Sequence, residues 1–176
     1  MNVYTGTHRY YCGIDLHARF MYICILDNEG NVVYHKNHRC SPEEFLNVIA
    51  PFRNGLAVGV ECIFCWYWLA DLCDKEGIDF ILGHALYMKA IHGVKTKNDK
   101  IDSLKIARLL RGGNFPVAYV YPPQMRATRD LMRRRPDGSG SANVPNCLVI
   151  SKIQRANIIW SHWEPCHVRI IVGTKR

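Results

Sequence analysis

The chain has 176 residues, 48% of them apolar, and a formal charge of +8. That length holds one ordinary domain with an appendage and excludes two large ones, and the apolar share excludes wholesale disorder. The charge is uneven: residues 1–83 carry 6 Lys/Arg against 10 Asp/Glu, residues 84–135 carry 12 against 3, and residues 136–176 carry 5 against 2. A basic middle segment attracts polyanions, because neutralising phosphates releases condensed counterions, although a solvated basic surface has the same composition.

In chain order, Tyr10 to Leu16 and Phe20 to Leu26 read as short buried strands joined by His17-Ala18-Arg19. Asp27-Asn28-Glu29-Gly30 is a turn, and Asn31 to His35 returns as a third strand, so an antiparallel meander is expected. Ser41-Pro42-Glu43-Glu44 opens a helix, with Ser41 as N-cap, Pro42 at the first position and Glu44 three residues after the cap. Leu56 to Val60 is a fourth strand that ends directly at Glu61. Helical spacing resumes through Trp66, Leu69, Ala70 and Leu72 until Gly77, and Asp79 to Leu82 makes a fifth strand. Helices are expected over Tyr87 to His92 and Ile101 to Arg111, the latter closed by Gly112-Gly113. Val117 to Val120 is a brief extended piece, and Pro122-Pro123 starts a helix running to Arg133-Arg134-Arg135. At Pro136 the pattern stops: Pro136-Asp137-Gly138-Ser139-Gly140-Ser141 is a breaker run, and no period of 2 or 3.6 follows it. The order of three strands, then helix–strand–helix–strand–helix, is that of a ribonuclease H-like α/β fold: a mixed sheet flanked by helices, with a basic helical extension and an irregular C-terminal tail.

The eight cysteines do not form a disulfide pattern: Cys12, Cys24, Cys62 and Cys73 lie inside apolar runs, where a free thiol behaves as a small hydrophobe. Cys62 and Cys65 have metal-ligand spacing, but no second pair follows at zinc-finger distance, so packing is the preferred reading. The first nine residues are polar and no apolar run reaches the roughly 18 residues of a membrane span, which leads to the expectation of a reducing cytoplasm and no membrane partner.

Four carboxylates stand out by context. Asp15 interrupts the apolar first strand, where a lone charge is costly unless it is paired or binds a cation. Glu61 closes another strand expected to be central, and Asp99 and Asp102, three apart at a helix start, share one face. Hard divalent cations take oxygen ligands, and phosphodiester cleavage by such ions needs several carboxylates converging from different elements. Simpler roles exist for three of them: Asp99 and Asp102 favour a helix N-terminus, Asp102 can pair with Lys105, and Glu61 can face solvent at a strand end.

Tyr11 to His17, Val58 to Glu61 and Lys95 to Asp102 resemble the N-terminal domain of the DEDD transposases of bacterial insertion sequences, a family that includes the Piv-type DNA invertases. The likeness takes in Trp66 to Cys73, Gly83 to Leu86, Leu109 to Arg111 and Arg126 to Leu131, and covers roughly residues 10–135. It implies a RuvC-like ribonuclease H fold and DNA strand cleavage and exchange assisted by Mg²⁺ or Mn²⁺, with Asp15, Glu61, Asp99 and Asp102 as the catalytic and metal-binding acids. DNA is the implied partner, and in some members a noncoding RNA guides target choice; self-association is left open. Members normally continue into a helical linker and a serine-bearing domain, and nothing after Arg135 resembles that continuation. The expected division is therefore a lead over 1–9, a nuclease-like domain over 10–121, a basic helix over 122–135 and a divergent tail over 136–176, read as a frameshifted or disordered end of an inactive copy.

Around the acids, Lys95, Lys97 and Lys100 read as phosphate contacts that position DNA without reading its sequence, and Arg126, Arg129 and Arg133 fall on one helical stripe suited to the same task. His17 stands two residues after Asp15 and could face the scissile phosphate, though a structural role at the strand end is preferred. Trp66-Tyr67-Trp68 could stack bases, but core packing is its expected main role. A non-catalytic nucleic-acid-binding fragment is the competing function; a sugar-kinase-like ATPase is disfavoured for want of a glycine-rich phosphate loop.

Overall fold

The structure, a computed structural model, describes residues 2–62, 65–92 and 98–133; for residues 89–92 and 131–133 it describes the backbone alone. The expected tail over 136–176 lies outside the described residues. The chain divides into two units, residues 1–121 and 122–176.

In the first unit, β2 (Tyr10–Leu16), β3 (Phe20–Asp27) and β4 (Val32–Arg39) form the expected meander, and β5 (Leu56–Glu61) and β6 (Asp79–Gly83) extend it in parallel from β2. The strand order is β4-β3-β2-β5-β6, which puts the two strands ending in Asp15-Leu16 and Glu61 at the centre. β4 is longer than the apolar residues alone indicate: its second half, Lys36-Asn37-His38-Arg39, is polar and belongs to an edge strand with a largely exposed face. The first nine residues are more than a lead. β1 (Val3–Tyr4) pairs antiparallel with β7 (Phe115–Pro116), so the extended piece expected over Val117 to Val120 begins earlier and shrinks to one bridge, Gly83 to Val117. Two residues of each strand carry too little pattern for detection from spacing.

Helices cover both faces. On one face α1 (Pro42–Ile49) places Phe45 and Ile49, and α2 (Tyr67–Glu76) places Leu69, Ala70 and Cys73, against Cys12, Ile14, Ile23, Val58 and Val60. Ser41 caps α1 as its sequence indicates, its hydroxyl accepting from the Glu44 amide, and Gly77 ends α2 in the left-handed conformation with φ of 65°. Trp66, just before α2, is fully buried in this core, with Tyr67 almost as covered, so neither ring is a base-stacking platform. On the other face lie α3 (Ala85–His92) and α4 (Asp99–Arg111). Ser103, Ile106, Ala107 and Leu110 form the buried stripe of α4, at the i, i+3, i+4, i+7 spacing of one helical face.

How closely α4 approaches the sheet is set by Gly13. A Cβ there would lie 2.3 Å from both the Ala107 amide nitrogen and the Ser103 carbonyl oxygen, so only a glycine lets the helix backbone rest on β2. Arg111, at the far end of α4, donates to the Asn28 carbonyl in the β3–β4 turn at 3.1 Å. The helix therefore runs back along β2, with its first turn above the carboxyl ends of the central strands.

The second unit contributes α5 (Pro123–Arg133), which begins at the proline pair as expected. Within it, Arg129 bonds Asp130 at 3.1 Å and its side chain is only 10% exposed. Among the described residues no helix is long and apolar enough to cross a membrane.

Candidate metal and nucleic-acid site

The site grows from alternation along β2. Gly13 faces α4, so Asp15, two residues on, faces the same way, and so does His17 immediately past the strand. In the parallel β2–β5 pair Ile14 is in register with Val60, which carries Asp15 and Glu61 to neighbouring positions at the strand ends. Gly59 also faces α4, against Leu110 and Ile106, so Glu61 is on the α4 side as well. Asn98 caps α4 by accepting from the Lys100 amide, and the helix opens with Asp99, two residues before the first apolar residue of its pattern. Three elements thus bring carboxylates to one end of one face.

Distances single out part of this group. Ligand atoms of Asp15, His17 and Asp99 lie within 4.8 Å of one another, among the described residues the one such cluster of three. His17 Nε2 is 3.3 Å from Asp15 Oδ2 and 3.5 Å from Asp99 Oδ1, so the imidazole stands between the two acids. Asp102 pairs with Lys105 Nζ at 3.2 Å, the simpler contact its spacing allowed, yet its charge still acts on Asp15. Glu61 is half-buried and engaged in contacts of its own, at the same end of the sheet but outside the three-ligand cluster.

Asp15 is buried, with 5% of its surface exposed. Burial is the main cause that holds its carboxyl above the usual carboxylate range; His17 pulls it down, and Asp99 and Asp102 push it up. A carboxylate that is desolvated, crowded by two like charges and met by one imidazole is what a divalent cation relieves. The oxygen-rich donor set, with further carboxylates on adjacent elements, suits a hard ion such as Mg²⁺ or Mn²⁺. The Cys62–Cys65 spacing leads elsewhere: Cys65 donates to the Leu16 carbonyl, and burial pushes its thiol up to about 11, which disfavours the thiolate that zinc requires.

Lys95 and Lys97 lie outside the described residues, and so does the side chain of Arg133. Lys100 is exposed in the first turn of α4 beside the acids, whereas Arg129 is turned onto Asp130. His17, two residues past a strand aspartate, shares its face, and that period is the signal the sequence offers for the cluster. His35 gave no such signal, since its Nε2 meets the Lys100 carbonyl at 2.9 Å and the Ser103 hydroxyl at 3.1 Å from 65 and 68 residues away.

An antiparallel meander extended by parallel strands, helices on both faces and acids at the ends of the two central strands define the chain as a ribonuclease H-like α/β protein. A family model for DEDD transposases of the IS110 group matches residues 12–143, most of the chain and past the Pro136 break, and the chain belongs to that transposase family. No curated protein matches the chain.

Proposed function

We propose that this transposase-family chain carries a centre for DNA strand cleavage with Mg²⁺ or Mn²⁺ held by Asp15, Glu61, Asp99 and Asp102, and that it does not complete strand exchange. The observation that carries the reading is the buried Asp15 carboxyl facing Asp99 across His17 at the ends of the central strands. Bound there, such an ion would stabilise charge on phosphoryl oxygens and make a bound water more acidic. The protein's own groups do the rest. β2 and β5 hold two acids at adjacent strand ends, α4 carries the other two, and His17 Nε2, 3.3 Å from Asp15 Oδ2, orients that carboxylate. Lys95, Lys97, Lys100 and Arg126 attract the DNA backbone and align it without reading bases. Arg129 and Arg133, the other residues of that stripe, act in the same way.

The test is incubation of the purified protein with branched and linear DNA in Mg²⁺ or Mn²⁺, beside Asp15→Asn. Strand cleavage by the wild type that the variant lacks supports the reading. Cation-independent binding of DNA or RNA, with no cleavage by either protein, would instead mark a non-catalytic nucleic-acid-binding chain. An RNA competitor and light scattering in the same experiment report on a guide RNA and on self-association.

A further inference from the structure

The β3–β4 hairpin holds α4 at both ends. At the distal end Arg111 donates to the turn at Asn28; at the proximal end His35, on edge strand β4, reaches over the sheet to the first turn of α4. That turn carries Asp99 and Asp102. A carbonyl only accepts, so at 2.9 Å from the Lys100 oxygen the His35 Nε2 must carry the proton and donate it. The Ser103 hydroxyl, fully buried, donates to the same carbonyl at 3.0 Å and lies 3.1 Å from His35 Nε2. Tyr22 sets the imidazole plane, edge to face with ring centroids 5.1 Å apart. With the His17–Asp99 contact at 3.5 Å, this bond ties the acidic turn to the sheet.

We propose that His35 is a positioning residue for the cation site: its Nε2–H bond to the Lys100 carbonyl fixes the first turn of α4, and with it the distance from Asp99 and Asp102 to Asp15. The proposal rests on reading those acids as cation ligands, and its test separates the two. Amide hydrogen exchange along α4 is measured on the cation-free full chain, and Mn²⁺ affinity by electron paramagnetic resonance, for wild type, Asp15→Asn, His35→Ala, His35→Asn and His35→Gln. In His35→Ala the amides of Ser103 and Leu104 should exchange about fivefold faster while those at the far end of α4 keep their rates. Mn²⁺ affinity should fall roughly tenfold, as for other groups that orient ligands. His35→Gln, whose amide nitrogen reaches about as far as Nε2, should restore both. His35→Asn is too short to reach, and it replaces the alanine variant should that one fail to fold. Unchanged exchange and affinity in His35→Ala would overturn the proposal, as would uniform acceleration along all of α4 or a glutamine variant no better than alanine. If wild type binds Mn²⁺ no more tightly than Asp15→Asn, the cation reading fails, and exchange at Ser103 and Leu104 alone decides whether His35 fixes the turn.

Discussion

Gly13→Ala is the smallest change that should lift α4 from the sheet. The added methyl would sit 2.3 Å from the Ala107 nitrogen and the Ser103 oxygen and 2.9 Å from the Ala107 Cα, all backbone atoms of the helix. No rotamer change relieves such contacts, so α4 must retreat by about 1 Å to reach ordinary van der Waals separation. Overpacking of this kind costs about 1–3 kcal/mol, and rigid backbone on both sides places the cost near the upper end. At roughly 4 °C per kcal/mol for a unit of this size, the melting temperature should fall by about 10 °C. The same retreat draws Asp99 and Asp102 away from Asp15, so the stabilisation conferred by millimolar Mg²⁺ should shrink as well. Gly59→Ala is the control: its methyl would meet Leu110 Cδ2 at 3.2 Å and Ile106 Cγ2 and Phe115 Cζ at 3.4 Å, side-chain ends that can shift, for a cost of up to about 1 kcal/mol. Thermal melts of the full chain by circular dichroism, with and without Mg²⁺, decide the matter. A Gly13→Ala protein that melts with the wild type, or a Gly59→Ala protein that loses more than it, refutes the reasoning.

Asp15→Asn should raise the melting temperature of the cation-free protein at neutral pH and abolish its shift with Mg²⁺. The folded chain holds the Asp15 proton more tightly than the unfolded chain does, so the stability that Asp15 contributes is fully present below the ordinary carboxylate value and is lost as pH rises through the raised one. Asparagine removes that slope; parallel pH profiles for the two proteins would disprove it. Trp66→Ala should cost about 3–5 kcal/mol, because the ring is fully buried, and any loss of DNA affinity should track the unfolded fraction measured by calorimetry. Charge reversal at Lys95, Lys97 and Lys100 should reduce the slope of log affinity against log salt by about 3. Equal slopes for variant and wild type in a fluorescence-anisotropy titration would count against phosphate contact.

Much of the fold was legible because its signals are local. Alternation and turn residues gave the meander, Ser41-Pro42-Glu43-Glu44 gave the start of α1, and Gly77 gave the end of α2. Asp15 was legible for a thermodynamic reason: a charge inside an apolar strand has to be compensated, and the structure supplies His17 and the acids of α4 around it. The motifs around those acids, Tyr11 to His17, Val58 to Glu61 and Lys95 to Asp102, suggested the family.

Tertiary structure alone decided the rest, since it depends on elements far apart in sequence. The β1–β7 pair joins residues more than a hundred positions apart through strands of two residues each, too short for any periodic signal. Gly13 reads in sequence as a permissive strand residue, and only the backbone of α4 lying across it shows why a side chain is excluded. The three-ligand cluster joins Asp15, His17 and Asp99 and leaves Asp102 with Lys105, a partition fixed by the helix's azimuth and height above the sheet. Those two quantities are set by Gly13 beneath the helix and by His35 and Arg111 at its ends. Spacing along a chain specifies which face a residue occupies, whereas the gap between two faces depends on packing between them.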